Sequence, residues 1–232
     1  MAAAPEHDLV INLGDLVGYG ASPNEVIDQS RKLGKKFVRG NHDKAVSGTM
    51  DIDDFNPIAA AAALWTRDHL TRESMDWLRA LPPGPLQLVE LPDTQFVHGS
   101  PLDEDEYVVS LREAVEPLLT AASSLTFFGH THLQGVFLAT NDHGDSFRPA
   151  YKTVGGAESC EYPLRSGVRY MINPGSVGQP RDGDWRAAFA VFDAEAGIVT
   201  FCRVPYNLRA AQDRILAAEL PPRLAARLAV GR

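Results

Sequence analysis

The amino-acid sequence predicts an α/β fold in which two packed mixed β-sheets carry helices on their outer faces. Three observations lead to it. The chain opens strand, helix, strand, which is how a parallel sheet is built. Two later groups of short apolar runs are bounded by glycine, proline and asparagine, as strands are. Helical patterns lie between and after those groups.

Asp8–Leu13 (DLVINL) is a short apolar run stopped by Gly14, and predicts a buried strand. Pro23 opens a helix over PNEVIDQSRKL, with Ser22 as N-cap and Gly34 at its end. Lys36–Arg39 begins a second strand that Gly40 ends. Residues 56–80 are helical in pattern around the alanines at 59–63, and Leu81-Pro82-Pro83-Gly84-Pro85 breaks that pattern. Strands at 86–91 and 94–98 flank Pro92-Asp93, which predicts a hairpin turning there. A helix is expected over 110–122. Further strands are expected at 125–128, near 134–139, and at 150–155, 168–172, 187–192 and 198–204. The tail, 207–230, reads as two helices parted by Pro221-Pro222. No repeat, low-complexity linker or composition shift divides the chain, so residues 1–232 are expected to form one domain.

Composition narrows the class. Of 232 residues, 44% are hydrophobic, enough for a sizeable core. Lys and Arg number 22 against 30 Asp and Glu, a net charge of -8. That argues against broad attraction to nucleic acid or to an anionic membrane. A phosphate substrate stays compatible, because bound cations reverse the local field of a pocket. Cys160 and Cys202 are too few for a disulfide framework and read as reduced thiols. The N-terminus has no basic and apolar leader, and no apolar run reaches the length of a membrane span. A soluble, cytoplasmic protein is expected.

Four segments carry chemistry: Gly14-Asp15, Gly40-Asn41-His42-Asp43, His98-Gly99-Ser100-Pro101 and Gly129-His130-Thr131-His132. Each follows an apolar strand and sets a metal-competent side chain beside glycine. In open α/β sheets, sites form where loops leave the carboxyl ends of strands. Asp, Asn and His together are the mixed oxygen and nitrogen set that Zn, Mn and Fe prefer. Taken singly, Gly-Asp is a turn and Gly-Asn-His-Asp a loop of turn formers. Four such segments, each placed after a strand, are poorly explained by turn chemistry.

With those segments in view, the chain resembles the calcineurin-like metallophosphoesterases. That superfamily is marked by five blocks: D-x-H, G-D, G-N-H-D/E, a lone His after a strand, and G-H-x-H. The last four stand here in order. The stretches GDLVGYGASPNEVI, RGNHDKAV, FNPIAAAAALWT, FFGHTH and INPGSVGQPRDGD are similar to the small stand-alone bacterial and archaeal branch. That branch includes YfcE-like phosphodiesterases and dinucleoside polyphosphate hydrolases. The resemblance implies a four-layer sandwich and metal-dependent hydrolysis of a phosphodiester, phosphomonoester or dinucleoside polyphosphate. It implies two divalent ions (Mn, Fe or Zn) that hold a hydroxide and clamp the phosphoryl group. Asp15 would bridge them, with Asn41, His98 and His130 on the second metal and His132 on the first. His42 is implied near the leaving group as the catalytic residue. Arg181, in the Asn173–Arg181 loop, would reach a substrate phosphate. A small phosphoester or nucleotide is the partner expected.

The first block, D-x-H, has no counterpart. At roughly 3.3 Å per residue, His7 would lie more than about 20 Å from Asp15 and cannot replace it. The expectation is that the first strand and helix of the fold, with D-x-H, are encoded upstream of Met1. The alternative is a genuine loss that leaves a catalytically impaired or regulatory protein holding one cation well. The remaining candidates have structural readings. The acidic run Asp103–Glu106 reads as a solvated face, and Tyr19, Phe55, Trp65 and Trp77 as packing.

Overall fold

In the computed structural model, which describes residues 5–53, 55–153 and 155–232, Ile11–Asn12 (β1) lies parallel to Lys36–Phe37 (β2). Pro23–Leu33 (α1) is the crossover between them, with the ends that Pro23 and Gly34 predict. Ser22 makes no side-chain cap bond; its hydroxyl accepts instead from Arg214 Nη1 at 2.6 Å.

Asn41–Ser47 forms a helix (α2) where turn residues predict a loop. The Asp43 carboxylate reaches back to the Gly40 N–H at 2.9 Å, so Asp43 starts the helix instead of ending a turn. The helical pattern of 56–80 divides into Pro57–His69 (α3) and Arg72–Arg79 (α4). The division is local in cause, because Thr71 stops helical backbone and caps the Ser74 N–H at 3.1 Å.

A six-stranded mixed sheet follows, in the order β3-β4-β5-β9-β6-β7. It comprises Leu86–Leu88 (β3), Leu91–Phe96 (β4), Leu125–Phe127 (β5), Gly135–Ala139 (β6), Gly144–Phe147 (β7) and Arg169–Asn173 (β9). The hairpin turns at Val89-Glu90, not at Pro92-Asp93. A register shift at Gln87/Leu88 leaves Pro92 and Asp93 opposite no ladder partner, where proline's missing N–H removes no bond.

A second, antiparallel sheet holds Glu158–Pro163 (β8), Ala187–Asp193 (β10) and Ile198–Val204 (β11) in the order β10-β11-β8. The strand expected at 150–155 is absent from the described residues of that stretch, and Val154 lies outside them. The Lys152 and Thr153 N–H groups each bond the Glu158 carboxylate at 2.9 Å, which closes a turn in place of a ladder.

One apolar cluster joins the layers. Phe96, Phe127, Val136, Leu138 and Ile172 of the six-stranded sheet pack on Val199 and Phe201 of β11 and on Ile11 beside them. The second layer is therefore in two pieces, β1–β2 and β10–β11–β8, and no ladder joins them among the described residues. Ser110-capped Leu111–Thr120 (α5) covers the other face of the large sheet through Ala114 and Leu118. Helices α1, α2, α3 and α4 close over Phe37. Leu208–Ala217 (α6) and Pro222–Leu228 (α7) pack against α3 and Tyr19. No helix is long and apolar enough to cross a membrane among the described residues.

Candidate metal centre

The carboxyl ends of β1, β2, β4 and β5 converge. Asp15 leaves β1, Asn41 and His42 start α2 after β2, His98 follows β4, and His130 and His132 follow β5. Ligand atoms of Asp15, His98 and His130 all lie within 4.8 Å of one another. His98 Nε2 is 3.1 Å from His130 Nδ1, 3.3 Å from Asn41 Oδ1 and 3.5 Å from Asp15 Oδ1. On the other side of the same carboxylate, His132 Nε2 is 3.9 Å from Asp15 Oδ2. His7 is exposed, and its Nδ1 bonds the Pro5 carbonyl two residues back at 2.8 Å.

The backbone makes this convergence by turning sharply. Asp15, His130 and His132 have φ of 55°, 61° and 60°, in the left-handed region that side chains other than glycine avoid. Among the described residues other than glycine, only Glu219 joins them there. Two left-handed residues flanking Thr131 explain how His130 and His132 meet Asp15 from one short loop. Gly40 is required by proximity: a Cβ there would collide with the Asp15 carboxylate and lie 2.8 Å from His98 Cε1.

The histidine tautomers follow from their outer partners. His98 Nδ1 meets the Leu13 carbonyl at 2.6 Å, His130 Nε2 the Asp105 carbonyl at 3.1 Å, and His132 Nδ1 the Gln179 carbonyl at 2.7 Å. A carbonyl only accepts, so each of those nitrogens carries the proton. The nitrogens facing inward are bare lone pairs, and they face further acceptors, Asn41 Oδ1 and the Asp15 carboxylate. Such a cluster of lone pairs is repulsive without a cation and is the arrangement that metal-ligating histidines adopt. The residues present fit a divalent ion of the Mn, Fe or Zn kind.

Titration behaviour agrees. Burial pushes the Asp15 carboxyl up, but His98, His42 and His132 together hold it well below the usual carboxylate range. Burial, and then His98, lowers His130 to about 3; burial lowers His132 as well. Burial takes His42 down to about 4, so it is a neutral imidazole at pH 7. Burial and the facing Asp15 charge push Asp43 up, against N–H donors from Gly40, Asp15 and Leu16 at 2.9 to 3.0 Å.

A cleft of about 170 Å³ opens beside the cluster, lined by Asp15, Asn41, His42, His130 and Arg181 with Tyr19, Phe55 and Tyr107. His42 lies between Tyr19 and Phe55, with ring centroids 4.1 and 4.8 Å away, and its Nδ1 has no hydrogen-bond partner among the described residues. Arg181 donates to Tyr107 Oη at 2.5 Å and to Tyr19 Oη and Gln179 Oε1 at 3.2 Å. Tyr19 and Phe55 therefore wall the cleft. Sequence reasoning missed Tyr107, which stands edge-on to His130 at 4.1 Å. It also missed Lys44 and the acidic run: Glu104 and Asp105 are ion-paired rather than solvated. A lysine immediately after Gly-Asn-His-Asp was the only signal available.

Comparison with known proteins points one way. The model of the calcineurin-like phosphoesterase superfamily domain matches residues 1–197. Uncharacterized protein MJ0912 of Methanocaldococcus jannaschii is 33% identical over 220 residues, which is 95% of this chain and 85% of that protein. A metallophosphoesterase crystal structure from Sphaerobacter thermophilus is similar over 100% of this chain and 91% of its own, with TM-score 0.83 and 37% identity. Hypothetical protein PH1004 of Pyrococcus horikoshii OT3 shares the fold at TM-score 0.73 and 20% identity, over 95% of this chain and 84% of that one.

Proposed function

The chain belongs to the calcineurin-like phosphoesterase superfamily, and from that premise we propose that it hydrolyses a small phosphoester with divalent cations held by Asp15, Asn41, His98, His130 and His132. The observation that carries this reading is the ring of inward lone pairs, each histidine fixed from behind by a backbone carbonyl. Bound there, a divalent cation supplies Lewis-acid activation of water and charge neutralisation on phosphoryl oxygens.

The chain's own residues divide the remaining work. Asn41, His98, His130 and Asp15 surround one cation position; Asp15 and His132 face a second. His42, neutral at pH 7, stands at the cleft wall to donate a hydrogen bond to the leaving-group oxygen. Arg181, aimed by two tyrosine hydroxyls, holds a substrate phosphate oxygen. A net charge of -8 favours a small phosphodiester, phosphomonoester or dinucleoside polyphosphate over nucleic acid or an anionic membrane surface. A cytoplasmic setting suits such substrates.

One observation favours a second reading. The cation position on the His132 side has two protein groups, Asp15 Oδ2 and His132 Nε2, among the described residues. A protein with one well-held cation would act as a weak or regulatory phosphoester binder. The two readings separate in an assay with bis-p-nitrophenyl phosphate and diadenosine tetraphosphate in the presence of Mn, Fe or Zn. Turnover that is lost in Asp15→Asn supports the enzyme. Binding of Mn without hydrolysis of either compound under any of the three metals overturns it in favour of the second reading.

A further inference from the structure

Lys44 is buried at 7% exposure, one turn into the helix that begins with Asn41 and His42. A buried ammonium is expensive unless it is fully paired. Lys44 Nζ meets Glu104 Oε1 at 2.9 Å and Asp105 Oδ2 at 2.5 Å. Arg39, just before the same helix, grips Glu104 through Nε and Nη2 at 3.0 and 2.8 Å. Two cations, one on α2 and one just before it, thus hold two acids of one loop.

That loop touches the metal centre through its backbone. The Asp105 carbonyl is the group that accepts from His130 Nε2. Two residues on, Tyr107 packs edge-on against the His130 ring and receives Arg181 on its hydroxyl. The loop also lies directly against Gly99, the residue after His98: a Cβ at Gly99 would come 2.7 Å from the Glu104 carbonyl oxygen. The ion pairs therefore close a circuit, from Asn41 on α2 through Lys44, the acidic loop and His130, and then through His98, back to Asn41. Pairs of this kind add little net stability but fix geometry, because the penalty of desolvating the charges offsets most of their attraction.

We propose that Lys44 is a positioning residue: with Arg39 it latches residues 104–107 onto α2, so that the Asp105 carbonyl aims His130 Nδ1 at the cation and Tyr107 aims Arg181 at the substrate. This rests on the metal-dependent reading above. Without the latch, the loop is free to withdraw its carbonyl, and His130 loses both the partner that fixes its tautomer and the wall that fixes its ring.

The test measures Mn affinity by titration calorimetry on the wild type, Lys44→Met, Asp105→Asn and the double variant, alongside melting temperature and the ¹⁵N spectrum of the histidine rings. Asp105→Asn keeps the backbone carbonyl and breaks the ion pair, and it decides the question alone if Lys44→Met does not fold. The expected result is a roughly 10–100-fold weaker Mn affinity in each single variant, the range seen when partners behind metal-bound histidines are removed. The double variant should lose no more than the worse single one, Lys44→Arg should recover most of the loss, and the His130 Nε2–H signal should weaken in the metal-free Lys44→Met protein. Variants that melt earlier yet bind Mn within about twofold of wild type overturn the latch and leave the metal reading standing. A wild type that binds none of Mn, Fe or Zn overturns both.

Discussion

His98 Nε2 and His130 Nδ1 stand 3.1 Å apart, and each ring's other nitrogen is already committed to a main-chain carbonyl. Two lone pairs at that distance repel, so a cation between them relieves the folded protein of a cost. Ligand that binds only the folded state stabilises it by mass action, about 2.7 kcal/mol at a hundred times Kd. Mn should therefore raise the melting temperature in a concentration-dependent way, EDTA should reverse it, and His98→Ala should abolish the response. A melting temperature indifferent to both Mn and EDTA in the wild type contradicts this.

The two oxygens of Asp15 keep unequal company. Among the described residues, Asn41, His98 and His130 gather on the Oδ1 side and His132 faces Oδ2. Metal analysis after dialysis should find one tightly held cation per chain and a second that is lost readily. Two cations retained equally would mean that the second position has ligands beyond Asp15 and His132.

Gly40 leaves no room. A methyl group there meets the Asp15 carboxylate and His98 together, so Gly40→Ala should displace both ligands at once. We expect loss of detectable Mn binding, with unfolding free energy lowered by about 1–3 kcal/mol from overpacking. Chemical denaturation and calorimetry on the same sample check the two effects separately.

His42 contacts the centre through its backbone N–H, which bonds Asp15 Oδ1 at 2.9 Å, while its ring faces the cleft. His42→Asn keeps that backbone bond. Turnover should fall by roughly 10²–10³, the usual worth of a positioned hydrogen-bond donor to developing charge, with Mn affinity nearly unchanged. An equal loss of Mn affinity would place the ring among the ligands instead.

Glu104 supplies a pH signature. Its hydrogen bonds from Arg39, opposed by burial and aided by Lys44, hold its carboxyl at about 2 against an ordinary 4.5. The folded value is depressed, so the stability it contributes is complete above 4.5 and is lost as pH falls toward 2. The stability gap between wild type and Glu104→Gln should be constant near neutral pH and should narrow through that window. A gap of constant size down to pH 2 would show that Arg39 and Lys44 do not depend on the Glu104 charge.

Strand ends were the most legible part of this chain. Asp15, Asn41, His98, His130 and His132 each sit within a few residues of an apolar run and a glycine, so local pattern marked the four segments that carry them, and the family resemblance gave their roles. The helix ends at Pro23 and Gly34 were legible for the same reason. What local pattern hid was set by partners far along the chain. Lys44 finds its acids 60 and 61 residues away, and Arg181 finds Tyr107 and Tyr19 74 and 162 residues away. The misplaced hairpin turn has another cause: Pro92-Asp93 is a good turn sequence that a bulge made acceptable inside a strand. Asp43 misled for a third reason, since the carboxylate that suits a turn also suits the first turn of a helix.

The left-handed backbone at Asp15, His130 and His132 puts robustness and function in opposition at the same three α-carbons. Each such residue costs the fold on the order of 1–3 kcal/mol, a cost that glycine would remove. Selection for heat tolerance alone would thus drift toward glycine at the three positions proposed to hold the cation. Laboratory evolution that screens only for soluble, thermostable protein should erode this centre first, and a hardened variant of this chain should be checked for Mn before it is trusted as a scaffold.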